Sequence, residues 1–234
     1  MGDLLGVAFV LLVGSGLIWL ISRKERQNPC ARPLQTKVVV GDVAVAETAA
    51  SEGPVPFGYK TSWFAFRCDD PEWVIASLSP LARQSCDWGN GLALSHGESD
   101  RVFVSPCLDG FVLVIGDVPF YRLEDLAQDF EEVQAFFSYR TSDCYSWTKY
   151  VRGELIRAYT CLDNIVDEDF GELTPEELAL GFERFSPDGP VWPDEEDVLA
   201  IAAAWGIDPK FEHKTYPPDT GWLCALYGAE KGVM

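Results

Sequence analysis

Residues 4–22, LLGVAFVLLVGSGLIWLIS, carry no charge and stop at Arg23-Lys24-Glu25-Arg26. As a helix rising about 1.5 Å per residue, this run is about 28 Å long, close to the hydrocarbon thickness of a bilayer. It reads as a transmembrane helix, and the chain after it as a domain tethered to a membrane. A cleaved secretory signal is the competing reading. Such a signal wants a basic start, a shorter apolar run and a small-x-small cleavage site. Only Met1, Gly2 and the acidic Asp3 precede this run, which ends on Trp19-Leu20-Ile21-Ser22 and then charge. Trp19 suits the interface, and Arg23, Lys24 and Arg26 suit the cytoplasmic side. The expected topology therefore has the N-terminus outside and residues 23–234 in the cytoplasm. Gly6, Gly14, Ser15 and Gly16 give the helix a small-residue face. Gly2 does not signal myristoylation, because the motif's hydroxyl position holds no serine or threonine.

The remaining chain is acidic. The formal charge of the whole sequence is −19, which argues against nucleic acid as a ligand, because phosphate binding needs Lys and Arg. It also argues against lying flat on an anionic membrane surface. A basic protein partner fits, as does the plainer role of keeping the domain soluble. The seven cysteines include no C-x-x-C pair and form neither a disulfide framework nor a zinc signature. Most lie beside apolar residues, as small buried hydrophobes do in a reducing compartment.

Residues 23–59 read as stalk and linker, with prolines at 29, 33, 54 and 56 and one β-branched run, KVVVGDVAVA, at 37–46. The domain is expected from about Lys60 to the end. SWFAFR at 62–67 has strand composition. Asp69-Asp70-Pro71-Glu72 opens a helix to about Leu81, with Trp73, Ile75, Ala76 and Leu78 as its apolar positions. Residues 91–96, 101–105 and 110–115 read as strands, with Asp109-Gly110 as a tight turn. Residues 122–133 have helical spacing of Leu123, Leu126, Ala127, Phe130 and Val133. Strands follow at 134–140, 144–151 and 154–162, the last two joined by Arg152-Gly153. Helix-then-strand runs at 72–105 and 123–162, centred on Trp88 and Trp147, hint at a repeat. The expected class is α+β: a mainly antiparallel sheet with helices on one face, preceded by the membrane helix.

Residues 163–206 are expected to be an acidic helical region. Its first 35 residues, 163–197, hold thirteen Asp or Glu against Arg184 alone. Thr174 and Glu177 form a capping box for one helix. Pro193-Asp194-Glu195-Glu196-Asp197 opens a second, with Val198, Leu199, Ala202 and Trp205 on one side and Gly206 as its stop. A strand at 221–227 closes the domain. Acids in a first turn are favoured by the helix dipole, which accounts for many of them.

The chemistry-bearing residues are few. His96 and His213 are the only histidines, and no segment carries a local cysteine-protease signature. His96 reads as a turn residue. Asp163, Asn164, Asp167, Glu168, Asp169 and Glu172 crowd oxygens together, but no register places acids and glycine at calcium-loop positions. They read as a solvated acidic loop, with no metal or cofactor. No phosphate-loop, dinucleotide, zinc-protease or serine-elbow motif occurs. The candidate contacts for a partner are Asp167, Glu168, Asp169 and Glu172, with outward aromatics Tyr139, Tyr145, Trp147 and Tyr150, since Tyr and Trp dominate interface hot spots.

The run Trp192-Pro193-Asp194-Glu195-Glu196-Asp197-Val198-Leu199-Ala200-Ile201-Ala202-Ala203-Ala204-Trp205, with Asp208-Pro209 after it, resembles a segment near the end of some uncharacterised bacterial proteins. Val104-Ser105-Pro106 before Asp109-Gly110 is similar to an earlier part of them. The resemblance covers about residues 62–208 and implies a bacterial source and a compact single domain, with no activity attached. Two functional expectations follow. One is a cytoplasmic, membrane-anchored binding domain for a basic protein, of the immunity or antitoxin kind or a subunit of a membrane complex. The other is an enzyme whose site carries no recognisable motif.

Overall fold

The computed structural model describes residues 53–96, 100–116, 118, 120–182 and 192–226. Among the described residues nine strands lie in one sheet: β1 Thr61–Arg67, β2 Ala82–Cys86, β3 Arg101–Val104, β4 Phe111–Gly116, β5 Glu132–Tyr139, β6 Cys144–Val151, β7 Glu154–Leu162, β8 Ile165–Phe170 and β9 Gly221–Ala225. Their order across the sheet is β2-β9-β3-β4-β1-β5-β6-β7-β8, and every neighbouring pair is antiparallel. The expected antiparallel α+β class is what is observed.

Three two-residue turns set the register of much of this sheet. Asp109-Gly110, Arg152-Gly153 and Asp163-Asn164 all have positive φ at both positions. That conformation matches the twist of the strands it joins. The third turn produces β8, which was read from sequence as solvated loop: residues 165–170 pair with β7.

Helices cover both faces of the sheet, not one. Trp63 and Ala65 point to one face and Phe64 and Phe66 to the other. On the first face lie Leu113, Ile115, Phe136, Trp147, Tyr159 and Leu223. They pack against Trp88 of α2 (Trp88–Ser95) and against Val198, Leu199, Ile201, Ala202 and Trp205 of α5 (Glu195–Trp205). On the second face lie Val112, Val114, Val133 and Ala135. They pack against Val74, Ile75 and Leu78 of α1 (Pro71–Leu78) and Leu123, Leu126 and Ala127 of α3 (Leu123–Ala127). The remaining α-helix of the described residues, α4 (Pro175–Ala179), precedes α5.

The caps explain where these helices begin. Asp70 accepts from Glu72 N–H at 2.9 Å, with Pro71 in the first turn. Thr174 with Glu177, and Asp194 with Asp197, complete capping boxes. Gly206 follows α5, as expected. The buried positions of α1 are Val74, Ile75 and Leu78, whereas Trp73 is 52% exposed and leans on Phe130. At the far end of α1, the Arg122 guanidinium donates to Leu78 O at 2.9 Å and Ser77 O at 3.0 Å.

Three further expectations are corrected. Residues 91–95 are helical, because Asp87 accepts from Asn90 N–H and starts α2. Gly91 lets that helix lie on the sheet: a Cβ there would stand 2.2 Å from the Phe103 ring. The helix expected at 122–133 is confined to Leu123–Ala127 after a turn of 3₁₀ helix, and Glu132 and Val133 already belong to β5. The suggested repeat does not hold, since Trp88 opens a helix and Trp147 sits inside a strand. Packing also starts before Lys60: Phe57 is buried against Trp63, and its N–H donates to Pro209 O at 3.0 Å.

The span 4–22, the stalk and the 37–46 run lie outside the described residues. Among the described residues, no helix is long and apolar enough to cross a membrane. Cys68, Cys86, Cys107, Cys161 and Cys224 are free thiols, whereas Cys144 is disulfide-bonded, unlike the unpaired cysteines expected from the sequence. Burial pushes the Cys86 and Cys224 thiols up to about 11.

Candidate functional site

A belt of polar side chains crosses the first face beneath α4 and α5. It centres on Arg157 of β7 and Glu177 of α4, both buried. Glu177 Oε1 accepts from Trp147 Nε1 at 2.8 Å and Arg157 Nε at 2.9 Å. Its Oε2 accepts from Thr174 N–H at 2.8 Å, the capping-box bond. Arg157 Nη1 donates to Asp169 Oδ1 and Phe170 O, both at 2.7 Å, and to Ala158 O at 2.9 Å. One guanidinium therefore ties α4 to β8 through β7. Further along, Trp205 Nε1 donates to Thr174 Oγ1 at 3.3 Å, and Gln134 Nε2 donates to Trp205 O at 3.1 Å. Gln134 also donates to Glu132 Oε1, and Lys149 pairs with that carboxylate at 3.0 Å. Ionic groups withdrawn from water are tolerated when charge and hydrogen bonds are both matched. The belt meets that condition and acts as a brace. Among the described residues, Trp88 Nε1 is the only buried side-chain N or O atom without a hydrogen-bond partner.

The residues expected to meet a partner fall into three groups. Tyr145 is 6% exposed and Trp147 1% exposed, so neither faces outward. Each belongs to the side of β6 that packs on the first face. Trp147 stacks on Tyr159 at 4.5 Å between ring centroids, and burial with the nearby carboxylates of Asp143 and Glu195 pushes the Tyr145 hydroxyl up to about 12. Tyr139 and Tyr150 are half-buried on the opposite side. Asp167, Glu168 and Asp169 sit on β8, not in a loop, and Asp169 is engaged by Arg157. Glu172, just past the strand, is exposed.

β8 lies at one edge of the sheet among the described strands. Two of the nine exposed large apolar side chains of the described residues lie on it, Ile165 and Phe170, and a third, Ile156, lies on the neighbouring β7. Ile165 is 67% exposed, at one end of the strand, and Phe170 is 45% exposed at the other. Asp167 occupies a bulge, since Val166 pairs with Cys161 and Glu168 with Thr160. Acidity was visible in the sequence; the apolar residues framing it, and the strand that carries both, were not.

The other edge has a shallow groove between α1 and β2, of about 290 Å³, where Arg83 pairs with Glu72. Among the described residues, no three His, Cys, Asp or Glu side chains are grouped to hold a metal ion. No family model, curated protein or solved structure matches the chain.

Proposed function

We propose that the chain is a single-pass membrane-anchored protein-binding domain, with the N-terminus outside and the sheet domain in the cytoplasm. Its β8–α4 edge engages a basic protein, in the manner of an immunity or antitoxin protein or of a subunit in a membrane complex. The observation that carries this reading is the pairing of acid with exposed apolar surface on one braced edge. Exposed acids alone serve solubility; acids interleaved with Ile165 and Phe170 offer both steering and contact area. The uncharged run at 4–22, with its basic flank, supports the anchor and its orientation.

The test uses the full chain extracted in a neutral detergent. A basic partner is retained at about 0.1 M salt and released towards 1 M, because exposed charges are screened over about 10 Å at the lower value. Changing Asp167 and Glu172 to Asn and Gln slows association and leaves the unfolding temperature nearly unchanged. Retention that ignores both salt and these substitutions overturns the reading. Protease added to intact cells leaves the domain whole; its digestion without lysis reverses the topology.

A further inference from the structure

We infer that Cys68 and Cys107 form a thiol pair that a peroxide oxidises to a disulfide, a reversible modification site on the second face and independent of the acidic edge. Both are free thiols, half-buried, and both pack on the second-face core. The backbone brings them to one turn. Cys68 follows β1, and its N–H donates to Gly110 O at 2.9 Å. Gly110 also hydrogen-bonds through its backbone to the Cys107 thiol. Asp69, next to Cys68 in sequence, accepts from Cys107 Sγ at 3.7 Å. The two thiols therefore meet at one glycine and one aspartate. Cys107 sits in a bulge: Ser105 bonds to Leu113 and Leu108 to Phe111, which leaves Pro106 and Cys107 opposite Val112 alone. The extra residue of a bulge stands outside the ladder, so Cys107 can turn towards Cys68 without breaking a strand pair. Bridging brings the sulfurs to about 2.05 Å, so Cys107 gives up Asp69 as the bond forms.

The surroundings divide the roles. Burial, with the charges of Asp69 and Cys68, holds the Cys107 thiol above its ordinary 9.0, so it keeps its proton. The thiolate is the nucleophile in such chemistry, which leaves Cys68 to attack first. Cys68 Sγ lies ahead of α1 and accepts from Asp70 N–H at 3.4 Å. Its thiolate attacks one oxygen of hydrogen peroxide. An S–O bond forms, the O–O bond breaks, and the departing hydroxide takes a proton to become water. Cys68 is then a sulfenic acid, oxidised by two electrons. Cys107 attacks that sulfur while Asp69 takes its proton and passes it to the leaving hydroxyl. The S–S bond forms, the S–O bond breaks, and a second water leaves. Two thiols and one hydrogen peroxide give one disulfide and two waters. The cross-link ties the start of α1 to the connection between β3 and β4.

The test treats the full chain in neutral detergent with hydrogen peroxide, alkylates the remaining thiols after unfolding and maps the peptides without reductant. The expected product is one pair of peptides joined through Cys68 and Cys107 and released by dithiothreitol. Cys86, Cys161 and Cys224 are recovered alkylated. Amide exchange in Pro71–Leu78 slows once the bond has formed. Cys107→Ser stops the reaction at a Cys68 sulfenic acid, which dimedone traps. Asp69→Asn slows disulfide closure at least about tenfold and leaves sulfenic acid formation in the Cys107→Ser background unchanged. Two intact thiols after excess peroxide overturn the inference. So does separate oxidation of each thiol to a sulfinic acid, and so does a cross-link that joins two chains instead of one.

Discussion

The two edges of the sheet solve the same problem differently. β2, ARQSC, is short and polar, and its Arg83 pairs with Glu72 of α1 and lies over the Trp222 ring at 4.6 Å. A cation covers the outer strand and is itself neutralised. β8, IVDEDF, keeps exposed apolar residues at both ends, and its brace lies on the inner side, through Arg157. Short length and local charge close the first edge against other chains. The second edge is braced from behind, and its outer strand carries acids together with exposed Ile165 and Phe170.

Removing Glu177 is the hardest blow to that difference. Glu177→Ala leaves Arg157 buried without its main counter-charge and costs about 3–5 kcal/mol in denaturant unfolding. Amide exchange then accelerates over β7 and β8 more than over β2. Adding Arg157→Met recovers part of the loss, because the orphaned charge is gone. Equal acceleration at both edges breaks the comparison. Gly171→Ala comes next. Gly171 has φ +81°, and a Cβ there would stand 2.1 Å from Ile156 O. Strain and clash together cost more than about 1 kcal/mol, seen as a lower unfolding midpoint, with the end of β8 exchanging first. At the β2 edge, Arg83→Ala costs about 1 kcal/mol or less in the same unfolding measurement, since its pair with Glu72 is exposed.

The smallest effect is an acid response away from both edges. Lys214 and Tyr216 donate to Asp109, and these bonds hold its carboxyl below the ordinary 3.8. A carboxylate lowered on folding stabilises fully above its unfolded value and loses that contribution as pH falls through its folded one. Acidification below about pH 4 therefore loosens residues 214–216. Nuclear magnetic resonance titration of the Tyr216 ring follows that release, and Asp109→Asn abolishes it.

Much of the architecture was legible. β6 and β7 were read to their ends because Arg152-Gly153 can take positive φ between two β-rich runs. α4 and α5 announced themselves through Thr174–Glu177 and Asp194–Asp197. β8 escaped because its signals conflicted: Asp163-Asn164 is a competent tight turn, but the acids after it outweighed Ile165, Val166 and Phe170. β2 has no apolar alternation to detect. α2 was mistaken for a strand because its two glycines, of which Gly91 allows close approach to Phe103, suppress helical pattern. The two-sided cover was readable in β4: FVLVIG is buried at every position, and an unbroken apolar run belongs to a strand covered on both faces. The brace was beyond reach, since Arg157 and Glu177 are twenty positions apart and each has an ordinary local role.

The place of β9 bears on how the protein is made. β2 pairs with β9 alone, and β9 separates it from β3. During synthesis the chain from β3 to β8 can assemble as it emerges, each strand finding a neighbour already present or soon to follow. β2 and the Cys86 end of its ladder must wait until residues 221–225 leave the ribosome. Completion of the sheet is therefore a late, long-range closure, slow by the general rule that distant contacts form last. A chain arrested before residue 221 leaves β3 with an open outer side and β2 without a neighbour. Such a fragment is a natural client for chaperones and a source of aggregation.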